Sequence, residues 1–534
     1  MNRWETRGIA TLIALLLALG IGLRCTGLQD QGLWTDELFS ADLIVSRPLL
    51  PSAGVPWLER RTIFQIGETE SFWTIKAADQ SPPLFELIGK AATTLLGTSE
   101  TALRVTSAAA GVMFLLWVAA RAWRYRRDTA RMAYLCLLGM TALSGPLVFY
   151  AKEARAYSLA AALCGVLTVK FWERWRQGWR VASLPGWGEA WAFAAVAWTH
   201  YTALALAALM WLAYSWEALR RRAWRAETRL AVMPLALLAW LALSWHGFRL
   251  TVQGRTGWGL QVDLDTVLAY LVSNSLSQIS VLLHGWPGWI WLLTLLAAGM
   301  AWANIRFGRA CGDSPAQAGA SMSLMRASAA TLALCAGFFL LFIGMAVASH
   351  IAHLRHLLFV FPGLYLTMGG LLSLVQLRWR WPAWLLLILL LAAQYPLLQR
   401  HLAIEKTDFR AVATFVRARL QPGDSVLAGT MLNPSAIRYY LPNTRPGKHQ
   451  PSASWHRIYY VDKFTKIPEL CHKLSEAERF GVMAFDFYTD QINTLRDACG
   501  ANYDIESIES FEYFGQVWRR KSSASAAPSA SGNL

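Results

Sequence analysis

The chain has 534 residues, 55% of them hydrophobic and 16% charged, with a mean hydropathy of +0.31, which excludes an ordinary soluble domain and fits a polytopic membrane protein. Its formal charge of +16 would also suit a nucleic-acid binder. The basic excess, however, sits in short loops at 121–131, 170–180 and 220–229 between apolar runs, the positive-inside pattern, so no nucleic-acid partner is expected.

The first apolar run follows Arg3 and Arg7 and has no small-x-small cleavage site after it; Arg24 before Cys25 argues against a lipoprotein signal. It reads as an uncleaved first span with a cytoplasmic N-terminus. Spans are expected near 8–28, 101–121, 130–150, 154–170, 187–200, 201–218, 229–249, 286–304, 327–349, 356–376 and 381–399. That is about eleven, an odd number, which puts the C-terminal part on the external side; the Ser-rich segment 265–283 is either interfacial or a further span. The first loop, 29–100, is too long for a connector and contains an interfacial helix at 79–97 with Pro83 in its first turn.

The pattern changes after about residue 400. A helix over 408–420 and strands over 425–430, 457–464 and 480–488 predict a small soluble α/β domain at 401–521, followed by a disordered low-complexity tail, 522–534. The expected fold is thus a polytopic α-helical membrane protein, 1–400, with a C-terminal α/β domain. None of the seven cysteines forms a CxxC pair, and Cys471 and Cys499 lie where an oxidising compartment would permit a disulfide.

Three polar clusters could carry chemistry. Asp36 and Glu37 in LWTDELFSAD sit where the chain leaves the first span; they are either a general base with a partly desolvated carboxylate or a helix cap. Lys152, Glu153, Arg155 and Tyr157 fill a tight external turn, as either an interfacial ion pair or a holder of lipid-linked phosphate. In SHIAHLRH, three-histidine metal binding by His350, His353 and His356 from one helix is geometrically poor, whereas Arg355 and His356 suit phosphate. Arg104, Lys90, Arg249 and Arg255 are further cations of this kind, and His200–Tyr201 either lines a cavity or belongs to an aromatic belt. No nucleotide-cofactor or HExxH motif is present, and a divalent metal is left open.

An ordered set of pieces carries a resemblance. Trp34, Asp36 and Glu37 are followed by Asp79, Pro82, Pro83 and Leu84, then Leu103, Arg104 and Ser107. Next come Pro146, Tyr150, Glu153, Ala154, Arg155 and Tyr157, then His200–Tyr201, and finally Arg355–His356 before Pro362–Gly363. Over roughly 8–400 this set resembles GT-C membrane glycosyltransferases, in the branch of protein O-mannosyltransferase-like and lipid A aminoarabinose transferase-like enzymes.

The resemblance implies a polyprenyl-phosphate-linked sugar donor, a lipid, glycan or protein acceptor on the external side of a bacterial inner membrane, and inversion at the anomeric carbon. It makes Asp36 the catalytic carboxylate, Glu37 its neighbour and Glu153 a second acid. Lys152, Arg155, Arg355, His356, Arg104 and Tyr157 would hold the donor phosphate, with Asp79, His200 and Tyr201 in the cavity on the acceptor side. Where the family often has a histidine before the Pro-Pro pair this chain has Ser81, and metal dependence varies among such enzymes. The competing class is a lipid or polysaccharide transporter or assembly protein, for which internal repeats and mid-span charges are expected but not found.

Overall fold

A computed structural model describes residues 3–45, 72–73, 76, 81–179, 185–223, 228–243, 294–303, 314–349, 354–421, 424–429, 439–440, 457–461, 467–475, 477–485, 489–510 and 513–521. The chain divides into two units, one of Met1–Leu28 with Lys76–Ile404 and one of Gln29–Ile75 with Glu405–Leu534. The first part of the long loop therefore groups with the C-terminal residues, a division that apolar runs alone did not mark.

In the first unit, helices α1 (Arg3–Cys25), α4 (Glu100–Arg124), α9 (Tyr201–Arg220), α12 (Pro315–Ser349), α13 (Phe361–Gln376) and α14 (Arg380–Ala392) supply the long apolar runs. Among the described residues, six stretches are long and apolar enough to cross a membrane: Trp4–Cys25, Glu100–Arg124, Tyr201–Arg220, Pro315–Phe342, Arg355–Gln376 and Arg380–Leu402. A seventh forms if α5 (Arg131–Leu143) and α6 (Gly145–Ala151) count as one bent span. The sequence suggests about eleven, and several of those segments are shorter or more charged helices here. Helix α7 (Tyr157–Gln177) ends in Lys170, Glu173, Arg174 and Arg176, and α8 (Trp187–Ala197) has only 11 residues. Helices α10 (Thr228–Leu243) and α11 (Thr294–Ala303) are apolar but short; segment 265–283 lies outside the described residues. The interfacial helix of the first loop is α3 (Leu84–Leu96), and the last helix of this unit is α15 (Gln394–Leu402).

The core centres on α5 and α13. A Cβ at Gly369 would come within 2.6 Å of the Ala133 Cα, so glycine is what lets these helices touch backbone to backbone. Helix α5 stops after Leu143 because Ser144 caps the next helix, its hydroxyl accepting from the Leu147 amide, and Pro146 occupies the first turn of α6. The two helices bend by 55° there. A helix end inside an apolar unit leaves carbonyls without donors. Arg24, 1% exposed, supplies them: Nη2 donates to the Thr141 carbonyl at 2.7 Å and Nη1 to Ala142 at 3.3 Å and Gly20 at 2.9 Å. Tyr365 closes the break from the other side, donating to the Ser144 hydroxyl at 2.9 Å.

The basic end of α7 is tied by ion pairs. Buried Glu173 accepts from the Tyr134 hydroxyl at 2.8 Å and from Arg121 at 3.3 Å, while Arg176 pairs with Asp128 and Arg174 with Glu189. Arginines that mark topology in the sequence thus also lock α4, α5, α7 and α8 together.

In the second unit, α2 (Thr35–Ile44) is separate in sequence from α16 (Phe409–Arg419) and a five-stranded sheet. The strands are β1 (Ser425–Gly429), β2 (Arg457–Val461), β3 (Arg479–Phe485), β4 (Tyr503–Ser510) and β5 (Tyr513–Arg520), in the order β2-β1-β3-β5-β4. Strands β2, β1 and β3 are parallel, and β5 and β4 continue the sheet antiparallel. Helix α16 begins at Asp408, whose carboxylate accepts from the Ala411 amide at 3.0 Å, and it buries Phe409, Val412, Ala413 and Val416. Those residues meet the sheet at Gly481 and Gly515, where a Cβ would come within 2.7 Å of Val416 and Val412. Two further helices, α17 (Ile467–Leu474) and α18 (Thr489–Cys499), flank β3 in sequence.

Replacing Arg24 by Leu should lower the thermal unfolding midpoint of the detergent-purified protein, because each carbonyl left unpaired in an apolar setting costs roughly 1–3 kcal/mol. An unchanged midpoint would show that the break does not need this guanidinium.

Candidate active site

The tight turn between α6 and α7 is where the first unit gathers its unusual charge. Lys152 caps α6 through its amide to the Phe149 carbonyl at 3.0 Å, and the Arg155 amide donates to the Glu153 carbonyl at 2.8 Å. Glu153 is completely buried, and Lys152 and Arg155 are half-buried. Helix α4 holds the turn from behind: the Ser107 hydroxyl donates to the Arg155 carbonyl at 2.8 Å, and the Ser158 hydroxyl donates to the Ser107 carbonyl at 2.8 Å. This gives the L-R-x-x-S piece a physical meaning. Its serine fixes the turn, and Arg104, 2% exposed, donates to the Leu28 carbonyl at 2.6 Å where the chain leaves α1. A guanidinium so placed anchors the backbone at the end of α1.

Tyr157, 3% exposed, is the hub of the site. The guanidinium of Arg355 lies 5.4 Å from its ring centroid and that of Arg155 5.7 Å, both within cation–π range. Its ring lies 5.3 Å from Tyr150, 5.3 Å from His200 and 6.2 Å from His356, and the two imidazoles are 5.4 Å apart. Arg355 and His356 come from the 3₁₀ turn Leu354–Val360, which runs directly into α13 at Phe361 with Pro362 in its first turn. Residues 155, 157, 200, 355 and 356, widely spaced in the chain, therefore converge on one ring. Tyr157 and Tyr150 also line a cavity with Arg24, Thr141 and Ser158 in its wall. Arg24 Nε and Thr141 Oγ1 are buried there without a hydrogen-bond partner among the described residues.

His200 caps α9: its Nδ1 accepts from the Thr202 amide at 3.2 Å. Because Nδ1 is the acceptor, the ring proton of the neutral imidazole is on Nε2, which makes this edge a donor. Burial, followed by the positive charges of His356, Arg155 and Arg355, holds His200 well below its ordinary pKa. Its partner in the H-Y pair behaves differently. Tyr201 is exposed, and its hydroxyl accepts from the buried Trp240 indole at 2.7 Å.

In the second unit, Glu37 is completely buried at the third position of α2, accepts from the Trp34 amide at 3.3 Å and lies 3.9 Å from the Lys406 ammonium. That is a capping role for one of the two adjacent carboxylates. Asp36 is half-buried in the same first turn, where a negative charge is favoured by the helix dipole.

Sequence reasoning missed Lys76. It is fully buried, lies 3.2 Å from the carboxylate of Glu86 on α3 and donates to the Ser81 hydroxyl at 2.8 Å. Ser81, the departure from the family's histidine, is thus the acceptor of a buried ammonium. A lysine within the apolar stretch SFWTIKAAD was its only signal. Asp79, Arg249, Arg255, His350 and His353 lie outside the described residues, and among those residues no group of three metal-ligating side chains occurs.

No family model matches the sequence, and no curated protein matches it. Solved structures do. The crystal structure of ArnT from Cupriavidus metallidurans bound to undecaprenyl phosphate matches 95% of this chain and 97% of its own, with a TM-score of 0.51 and 13% identity. This chain has the fold of ArnT. The apo form of ArnT from the same organism matches with a TM-score of 0.50 at 12% identity, again over 95% of this chain. The ArnT fold agrees with the branch that the ordered motifs resemble.

Neutral His200 predicts a pH dependence. A folded pKa below the unfolded value contributes stability that is fully present above about pH 6.5 and is lost as pH falls through the folded pKa. Protonation would also place a hydrogen on Nδ1 and abolish the cap. Unfolding midpoints measured from pH 8 down to pH 5 should therefore fall more steeply for the wild type than for His200→Gln, and equal slopes would refute a depressed pKa.

Proposed function

We propose that this protein is an inverting glycosyltransferase that moves a sugar from a polyprenyl-phosphate donor to an acceptor at the external face of a bacterial inner membrane. The observation that carries this reading is the convergence of Arg155, Arg355, His200 and His356 on Tyr157. It occurs in a chain with the fold of ArnT, whose crystal structure holds undecaprenyl phosphate. Guanidinium and imidazole N–H groups brought to one partly buried place suit an anion with several acceptor oxygens. A lipid phosphate is such an anion.

In this reading the donor phosphate is the leaving group. Its negative charge grows as the anomeric C–O bond breaks, so fixed cations stabilise the transition state more than the ground state. Arg355 and Arg155 offer N–H donors matched to phosphate oxygens, Lys152 adds charge at the turn, and His200 and His356 add ring N–H donors. Asp36 removes the proton from the acceptor nucleophile as it attacks the face opposite the phosphate, and the single displacement inverts the anomeric centre. Glu153 is the second acidic residue of this reading, Asp79 and Tyr201 belong to the acceptor side, and Glu37 supports α2. The C-terminal residues form the soluble domain on the same external side.

Two measurements test this. Mass profiles of lipids, glycans and proteins from cells carrying the wild type and Asp36→Asn should differ by one sugar unit on one acceptor, with turnover reduced about 10²–10⁴-fold; matching profiles with equal protein levels would refute the catalytic assignment. Arg355→Ala should weaken binding of polyprenyl phosphate to the purified protein by roughly tenfold or more, since hydrogen bonds to charged groups contribute about 1.5–3 kcal/mol. Unchanged binding would remove Arg355 from the phosphate site.

A further inference from the structure

Two of the cysteines lie together in the second unit. Helices α17 and α18 pack against each other, and Cys471 of α17 lies within side-chain hydrogen-bonding reach of Cys499, the last residue of α18. Both are half-buried. Cys471 lies four residues after Ile467 and three before Leu474, both buried, so it sits on the packed side of α17. The Cys499 thiol donates to the Leu495 carbonyl at 3.3 Å, which turns it back along its own helix. Tyr503 secures the same corner, its hydroxyl donating to the Leu474 carbonyl at 2.8 Å. The described cysteines of the first unit differ: Cys136, Cys164 and Cys335 are buried among apolar helices, and Cys25 is exposed at the end of α1.

We propose that Cys471 and Cys499 form an intramolecular disulfide that staples α17 to α18 in the assembled protein. The Sγ–Sγ bond forms as both thiols lose their protons; the two electrons pass to the disulfide of a thiol–disulfide oxidant, which leaves as a dithiol. Closing the S–S bond needs an approach of two sulfurs that neighbouring helices already bring together. The cross-link closes a loop that includes β3, so its entropic effect falls on the unfolded chain. Burial, and then the neighbouring Cys471 sulfur, push the Cys499 thiol up to about 12. A thiol of such high pKa is a poor leaving group, which makes the bond a lasting structural link rather than a reactive redox switch.

The inference rests on the proposed external position of the C-terminal unit, because a cytosolic location would keep both thiols reduced. The experiment separates the two. Cells expressing the full chain are treated with N-ethylmaleimide before lysis, and tryptic peptides 467–473 and 497–519 are sought by mass spectrometry without reduction. A linked peptide pair, lighter by two hydrogens than the sum of its parts, is the expected major form, and reduction should lower the unfolding midpoint of the purified protein. Recovery of both peptides alkylated would overturn the proposal. Oxidised glutathione added to the purified, unalkylated chain then locates the error: rapid linkage would mean that the pairing geometry holds and the external orientation is wrong. No linkage would mean that the thiols do not meet, leaving the orientation unaffected.

Discussion

The break at Ser144 is the constraint on which the first unit depends. A helix that ends within an apolar unit must have its last carbonyls satisfied, since lipid offers no donor. Arg24 does this from the end of α1, and Tyr365 of α13 donates to the Ser144 hydroxyl at the same break. The bend that results aims α6 so that its end, Tyr150 and Ala151, leads into the charged turn at 152–155. A straight helix would carry that turn elsewhere. Arg24 therefore sets the position of the candidate site through backbone geometry.

Around that turn, the arginines differ in what they meet. Arg104, Arg121, Arg174 and Arg176 donate to carbonyls or carboxylates of neighbouring helices and hold the bundle together. Arg155 and Arg355 instead lie against an aromatic ring, an arrangement that orients a guanidinium. His200 follows the same logic, with one ring nitrogen committed to the α9 cap and the other left as a donor. The chemistry proposed for this site, stabilising a departing phosphate, draws on side chains whose placement is already fixed by packing and capping.

The adjacent carboxylates Asp36 and Glu37 show how one sequence signal divides on folding. Successive residues of a helix point about 100° apart, so one carboxylate can turn inward to cap the chain while its neighbour remains half-exposed. Glu37 takes the inward place, and the general-base reading passes to Asp36. In His200–Tyr201 the division runs the same way, His200 joining the ring cluster and Tyr201 meeting Trp240.

The sequence by itself determined the membrane class, the change of character near residue 400, helix α16, the first three strands and the polar pieces in their order, because hydropathy, period and capping residues act over a few neighbouring positions. Length and hydropathy alone do not reveal where charges such as Lys170 and Glu173 end an apolar face. Strands β4 and β5 went unread because residues such as Glu506, Ser507 and Gln516 weaken their apolar alternation. Only the tertiary structure decided that Arg24 serves the α5–α6 break, that Lys76 meets Ser81 and Glu86, and that Arg155 and Arg355 share Tyr157. Each of these depends on side chains from separate elements arriving at one point, and that information exists only once the helices have packed.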